Sequence, residues 1–99
     1  MRFEWDEAKN RSNQVKHGIS VEAAAESILD PNVVLIQDRF VDGEQRWHAI
    51  GATREWAVLL VVHVHCRENE HGQEEVIRII SAREANKRER RVYIDPETE

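Results

Sequence analysis

Arg78-Ile-Ile-Ser-Ala-Arg-Glu-Ala-Asn-Lys-Arg-Glu-Arg-Arg-Val-Tyr93 is the stretch in which an apolar pattern gives way to a highly charged one. Residues 76–80 predict a strand, and the capping-box spacing of Ser81 and Glu84 predicts that a helix begins at Ser81. In such a box the hydroxyl accepts a backbone N–H at the helix start, and the glutamate accepts the N–H of the cap. We therefore expect the sheet to pass directly into the last helix here.

The predicted helix has two unlike sides. Helical spacing places these residues on one side: Ala82, Ala85, Glu89, Val92 and Tyr93. The opposite side receives these: Arg83, Lys87, Arg90 and Arg91. A carboxylate thus interrupts an apolar stripe, while cations cover the open side. The cations either bind a polyanion or an acidic protein surface, or they simply keep a solvated helix soluble.

Charge is distributed unevenly along the chain. The whole sequence has a formal net charge of −5, whereas residues 76–94 contain six Lys or Arg and only two Glu. A local cationic segment on an acidic protein directs its potential toward one kind of partner. The acidic total argues against a nonspecific nucleic-acid coat protein, which is usually basic overall.

Size and composition set the class of protein. A chain of 99 residues with 40% hydrophobic residues suits one small α+β domain, which we place at residues 1–94, with an acidic tail at 95–99. A single cysteine, Cys66, excludes an internal disulfide and suits a reducing compartment. The longest apolar run, residues 57–62, is too short to cross a bilayer. We expect a soluble, cytoplasmic protein with no membrane association.

The first third of the chain predicts a short strand followed by two helices. Phe3 and Trp5 alternate with polar residues, as in a strand. Asp6 is a suitable N-cap for a helix from residue 7 to 17, which Gly18 would end. Ser20 would cap a second, amphipathic helix that ends at residues 30–31, Asp-Pro.

The middle of the chain predicts strands. These lie at residues 33–38, 46–53, 57–65 and 76–80, with a turn at Asp42-Gly43 and a polar loop at 68–75. The order is β-α-α-β-β-β-β-α. The most economical arrangement is a twisted, mainly antiparallel sheet with helices packed on it, an α+β fold.

Several motifs resemble those of BrnT-type toxins, and they cover nearly the whole chain. They are Trp5-Asp-x-x-Lys9-x-x-x-Asn13-x-x-Lys16-His17-Gly18, Asp30-Pro31, Gly43-Glu-x-Arg46, Ile50-Gly51-x-Thr53, Val61-Val-His63, Arg78-Ile-Ile-Ser-Ala-Arg83 and Glu89-Arg90 with Tyr93. The resemblance implies a RelE-like ribonuclease from a type II toxin–antitoxin pair. It also implies a BrnA-type ribbon-helix-helix antitoxin as partner in a hetero-oligomer that contacts operator DNA only through the antitoxin.

RNA cleavage by its own 2′-OH requires a base, an acid and cations around the phosphate, but no metal or cofactor. The candidate catalytic residues are His63, Arg78, Ser81, Arg83 and Glu89. The two arginines would clamp the phosphate, and Ser81 with the helix N-terminus would seat it. Glu89 or His63 would transfer protons. Glu89 has an alternative role as the ion-pair partner of Arg78 or Arg90, and His63 as a hydrogen-bonded histidine at the sheet rim.

Other side chains are candidates for binding RNA. They are Lys16, His17, Lys87, Arg90 and Tyr93. Lys16 and His17 equally suit the C-terminal dipole of a helix, and Tyr93 equally suits a core. Trp47 and Trp56 could likewise serve as interface anchors or fill a core.

Three further interpretations stay open. A catalytically silent subunit of an antitoxin–operator repressor complex would use the same cations. His63, His65, Cys66 and His71 contain metal-ligand types, but they lack the paired spacing of a structural zinc site. Cys66 as a nucleophile has no supporting motif around it. The endoribonuclease interpretation is therefore preferred, without a metal.

Overall fold

The structure, a computed structural model, describes residues 1–67 and 75–98. Its elements are β1 (Arg2–Trp5), α1 (Glu7–His17), α2 (Val21–Ile28), β2 (Val34–Val41), β3 (Glu44–Ala52), β4 (Val58–Arg67), β5 (Glu75–Glu84), α3 (Lys87–Ile94) and a 3-10 turn (Pro96–Thr98). The predicted α+β order is confirmed. The predicted loop at 68–75 lies outside the described residues except for Glu75. The domain boundary at residue 94 stays a prediction.

The five strands form one sheet in the order β1-β5-β4-β3-β2. Among the described strands, only β1 pairs in parallel, with β5, whereas the other neighbours are antiparallel. The mainly antiparallel sheet is thus confirmed. Within the described part of the chain, no helix is long and apolar enough to span a membrane.

Helices cover both faces of the sheet. Ala49 and Val61 pack in one cluster with the α2 residue Ala24, whereas their chain neighbours Ile50 and Leu60 pack with Val92 of α3. Successive side chains of a strand point to opposite faces, so α2 and α3 lie on opposite sides. Helix α1 lies on the α2 side, where it lines a small cavity together with α2 and the end of β5. We call the two sides the α1/α2 face and the α3 face.

The ends of the first two helices follow directly from local sequence. The Asp6 carboxylate accepts the Lys9 N–H at 3.0 Å, and Gly18 ends α1 in the left-handed conformation with φ of 69°. The Ser20 hydroxyl accepts the Ala23 N–H at 3.1 Å at the start of α2. These caps satisfy orphan backbone groups as predicted.

The predicted start of the last helix is wrong. Residues 81–84 continue β5, because they pair with residues 59–62 of β4 and complete the ladder. Helix α3 begins after Asn86, whose side chain accepts the Glu89 N–H at 2.8 Å while the Glu89 carboxylate accepts the Asn86 N–H at 2.8 Å. The capping box therefore uses Asn86 and Glu89, and Ser81 offers no helix N-terminus to an anion.

The two possible caps give a direct test by mutation. We expect Asn86→Ala to lower the free energy of unfolding by about 1 kcal/mol, the usual effect of losing an N-cap. The exposed strand residue Ser81 should change stability by less than about 0.5 kcal/mol when replaced by Ala. Urea unfolding of both variants measures this, and the reverse order would contradict the strand assignment of residues 81–84.

Helix α2 packs unusually close to β3. The Ser27 hydroxyl donates to the Gly51 carbonyl oxygen at 2.8 Å, and a Cβ placed on Gly51 would lie 2.1 Å from the Ser27 carbonyl oxygen. Backbone cannot yield as a flexible side chain does, so the contact requires glycine here.

Gly51→Ala should consequently force α2 away from the sheet. We expect a loss of about 2 kcal/mol in the free energy of unfolding, within the range for overpacked cores. Ser27→Ala is the matched control, since it removes the hydrogen bond without adding volume and should cost about 1 kcal/mol. Equal stability of Gly51→Ala and the wild type would show that the helix can shift freely.

Candidate functional site

A groove of about 500 Å³ lies between α3 and the sheet. Its floor is apolar, with Ile36, Ile50, Leu60 and Val92. Its rim is polar, with His48, Asn86, Arg88, Glu89 and Arg91. An apolar cleft with a few convergent polar groups is the usual form of a ligand site.

Simple periodicities assemble this groove. His48 and Ile50 are two residues apart on β3 and therefore share the α3 face. On α3, the groove residues Arg88, Glu89, Arg91 and Val92 follow the spacing of one helix side. The buried Val92 holds α3 on the sheet, so the charged residues beside it are held at the rim.

Arg83 and Glu89 form a two-pronged ion pair across the strand-to-helix junction. Nη1 and Nη2 of Arg83 each donate to one carboxylate oxygen of Glu89 at 2.8 Å. These bonds lower the pKa of Glu89, assisted by the Asn86 N–H and by the charges of Arg83 and His48, although burial acts in the opposite direction. Glu89 is thus an anion at neutral pH, and the partner predicted for it, Arg78 or Arg90, is replaced by Arg83.

His48 is the functional candidate that sequence reasoning missed. Its Nε2 lies 3.1 Å from an oxygen of Asp38, and both side chains are about one-third exposed. An adjacent carboxylate can hold an imidazole in one orientation. The available signal was its alternation with Ile50 within a predicted strand, but nothing local showed that α3 would lie over that face.

Of the predicted catalytic residues, only Arg83 and Glu89 are brought together. Arg78 forms an ion pair with Glu44. It stands opposite Val64, whereas Arg83 stands opposite Leu60. Four residues along a strand span roughly 13 Å. Ser81 is exposed in β5 opposite Val62. A joint phosphate clamp of Arg78 and Arg83 is therefore not assembled.

His63 lies away from the groove. His63 is two residues from Val61 on β4 and therefore lies on the same α1/α2 face, and its exposed fraction is 0%. Neither ring nitrogen has a hydrogen-bond partner among the residues that the structure describes, so the predicted hydrogen-bonded rim position is wrong. Burial, assisted by the charges of His65 and His48, lowers the pKa of His63 to about 4. A neutral, enclosed imidazole on the far face cannot act on a substrate in the groove.

The predicted RNA-binding residues divide between the two faces. Lys16 and His17 are exposed in the last turn of α1, away from the groove. Lys87 and Arg90 are exposed on α3, and Nη1 of Arg90 donates to the Ala85 carbonyl at 2.8 Å. The Tyr93 hydroxyl donates to the Asp30 carboxylate, a bond that raises the pKa of Tyr93 to about 12. Only the α3 residues lie near the groove.

The metal hypothesis receives no support from the described residues. Among them, no group of three or more His, Cys, Asp or Glu is placed to hold an ion. The rings of His63 and His65 have centroids 5.3 Å apart, and Cys66 is a half-buried free thiol. His71 lies outside the part of the chain that the structure describes.

Comparison with known proteins identifies the family of the chain. The family model described as "Ribonuclease toxin, BrnT, of type II toxin-antitoxin system" matches residues 5–89, which include the last residue of β1, strands β2 to β5 and the start of α3. The chain belongs to the BrnT family. The resemblance seen in the motifs is thereby confirmed, and membership in a type II system implies an antitoxin partner.

A solved structure supports the same assignment. The chain is similar to the 1.1 Å crystal structure of the Brucella abortus ribonuclease toxin BrnT, with a TM-score of 0.64 and 25% sequence identity. The alignment covers 88% of this chain and 99% of the Brucella chain. No curated protein matches significantly. The BrnT family fold therefore extends over nearly the whole domain described above.

Proposed function

We propose that this BrnT-family chain is a metal-independent endoribonuclease and that the α3 groove is its active site. The reaction is attack of an RNA 2′-OH on the adjacent phosphate, with departure of the 5′-oxygen. The supporting observation is that His48, Glu89, Arg88 and Arg91 line one groove, and that Arg83 is bonded to the Glu89 carboxylate. The RelE-like relationship stays a prediction.

The arginines supply the positive charge that the reaction needs. Arg83 lies against Glu89, and Arg88 and Arg91 line the same groove. Within the described residues, neither Arg88 nor Arg91 is paired with a carboxylate, so both can receive a phosphate. Guanidinium groups bind phosphate through two parallel hydrogen bonds and stabilise the charge that develops on the phosphorane.

Proton transfer is assigned to His48. A catalytic acid or base works best when its pKa is close to the working pH, and imidazole is the side chain with that property. The lowered pKa of Glu89 makes this carboxylate a weak base. Glu89 is accordingly a positioning residue that holds Arg83 toward the phosphate, and Asp38 is the carboxylate that orients His48.

Binding of RNA extends along α3 in this proposal. Lys87 and Arg90 provide further cations on the exposed side of the helix. Tyr93 is bonded to Asp30, so its ring, rather than its hydroxyl, is available for stacking. The other sequence candidates, Arg78, Ser81, His63, Lys16 and His17, have no part in the groove chemistry.

Regulation follows the toxin–antitoxin arrangement. We propose that a BrnA-type ribbon-helix-helix antitoxin neutralises the toxin in a hetero-oligomer, and that operator DNA is contacted only through the antitoxin. The toxin acts in the cytoplasm, where single-stranded and translated RNA is present, without a cofactor and without membrane contact.

The chemistry is tested with antitoxin-free protein and a short single-stranded RNA in excess EDTA. We expect cleavage that leaves a 2′,3′-cyclic phosphate, detected by mass spectrometry. The matched substrate carries 2′-O-methyl groups throughout and should stay intact, because it lacks the nucleophile. A requirement for divalent metal, or cleavage of the methylated RNA, would contradict this mechanism.

A catalytically silent binding subunit is the second candidate, and Arg88 and Arg91, which have no carboxylate partner in the described part of the chain, support it as well. It predicts no cleavage under any condition, no harm to cells on expression, and operator binding by the toxin–antitoxin complex. Expression toxicity together with gel-shift assays on the complex separates the two functions.

A further inference from the structure

Trp56 has an unusual conformation and an unusual environment. It lies in the turn between β3 and β4, has φ of 66°, and its side chain is 85% exposed. Its N–H donates to the Thr53 carbonyl at 3.0 Å, and the Thr53 N–H donates to the Ala57 carbonyl at 2.9 Å, so the turn is firmly closed. A left-handed conformation is costly for a bulky residue. The backbone of Trp56 closes the turn, whereas its exposed indole is not packed into the core.

The indole stands beside a depression of about 480 Å³. The apolar residues there form what we call the Trp56 patch: Leu29, Pro31, Trp56 and Tyr93. Leu29 is itself 58% exposed, although it continues the apolar stripe of α2. Of the two roles considered for Trp56, the structure excludes core filling. Exposed apolar groups that adjoin one another indicate an interaction surface.

The polar groups around the patch are already used by the chain itself. The Asp30 carboxylate accepts from Tyr93, the Ala52 N–H and the Asn32 N–H, bonds that together outweigh the effect of burial and lower its pKa. The Glu26 carboxylate accepts the Arg54 N–H at 3.1 Å. What the patch offers a partner is therefore mainly apolar contact, bordered by the carboxylates of Glu26 and Asp30 and by Arg54.

The patch adjoins the cationic groove. Along β3, Ile50 lines the groove and Ala52 lines the depression beside the patch. On α3, Val92 lines the groove and the next residue, Tyr93, belongs to the patch. Beyond Val92 stand Arg88 and Arg91. A chain segment that begins on Trp56 and follows α3 thus meets apolar groups first and cations second.

We propose that the Trp56 patch is the docking site of the antitoxin, through an apolar side chain followed by acidic residues that lie over Arg88 and Arg91. Charge complementarity with Arg88 and Arg91 selects an acidic polypeptide for the second part, and the apolar patch selects an apolar side chain for the first. Buried tryptophans are common centres of binding energy in protein interfaces. That the acidic part covers an active site rests on the proposed function, whereas docking on Trp56 does not.

The test measures binding instead of activity. The probe is the antitoxin encoded beside the toxin gene, titrated calorimetrically against the purified full-length toxin. We expect Trp56→Ser to weaken binding by at least about 30-fold, as for a tryptophan hot spot. Val15→Ser is the matched control, because Val15 is an apolar residue with 90% exposure on α1, and its affinity should stay within about threefold of wild type.

Each alternative has its own signature. Unchanged antitoxin affinity of Trp56→Ser overturns the docking site. If this variant loses affinity for a single-stranded RNA oligonucleotide and keeps antitoxin affinity, the patch binds RNA. If the toxin alone forms dimers in sedimentation that Trp56→Ser dissolves, without a change in antitoxin affinity, the partner is a second copy. If Arg91→Gln binds the antitoxin with wild-type affinity at every salt concentration, the proposal that acidic residues lie over Arg88 and Arg91 is overturned. Absence of RNA cleavage affects only the proposed function.

Discussion

A His48→Gln chain is expected to cleave RNA at least about 100-fold more slowly than the wild type, since a positioned acid or base contributes typically 10²–10⁴-fold. Glutamine keeps the size and hydrogen bonding of the side chain but cannot exchange a proton near neutral pH. The single-turnover rate on a fluorescent single-stranded RNA measures the effect. The pH dependence that His48 contributes should disappear together with the rate.

The matched control is His65→Gln. His65 is also a strand histidine near a carboxylate, 3.5 Å from Glu75. It is two residues from His63 on β4, so it lies on the α1/α2 face and away from the groove. Its rate should stay within about twofold of wild type. A His48→Gln protein that retains more than one-tenth of the activity would remove His48 from the chemistry.

Substitutions of Glu89 and of His48 should differ in their effect on the pH profile of RNA cleavage. Glu89→Gln leaves Arg83 without its carboxylate, so the rate should fall while the shape of the pH profile stays that of the wild type. An altered pH profile would show that Glu89 exchanges a proton itself and is the base instead of a positioning residue.

Local signals were sufficient for the first half of the fold. Asp6, Gly18 and Ser20 act on backbone groups within four residues of themselves, so their caps could be predicted from the sequence. The strand-to-helix junction could not, because Ser81 with Glu84 and Asn86 with Glu89 are equivalent capping boxes. Pairing of β5 with β4 decides between them, and that information is nonlocal.

The candidate site shows the same division. Arg83 and Glu89 were expected near the junction, and they meet there, although the later helix start changes the geometry. His48 entered the site only because Val92 anchors α3 over β3, a packing event that no local pattern encodes. His63 is not part of the site because it lies on the α1/α2 face of the sheet. Alternation along a strand separates two faces, but which face a helix covers is known only once the helices are placed.

Acidification from pH 6.5 to pH 4 is expected to lower the free energy of unfolding by about 3 kcal/mol less in His63→Phe than in the wild type. This follows from a pKa of His63 near 6.5 in the unfolded chain and about 4 in the folded one. Between these values the unfolded chain binds a proton at His63 that the folded chain does not. Wild-type stability from this residue is thus complete above pH 6.5, falls as the pH falls, and is fully lost near pH 4. The phenylalanine cannot titrate, so its contribution stays constant.

Urea unfolding at pH 8, 6 and 4.5 measures this difference, because other carboxylates and histidines titrate equally in both proteins. At pH 8 the variant should match or exceed the wild type, since it removes two buried nitrogens without partners. His63→Leu repeats the test with a smaller side chain, in case phenylalanine overpacks the site. Parallel pH dependence of wild type, His63→Phe and His63→Leu would mean that His63 is protonated in the folded protein, and its enclosure between Val61 and Ile79 would then have to open to water.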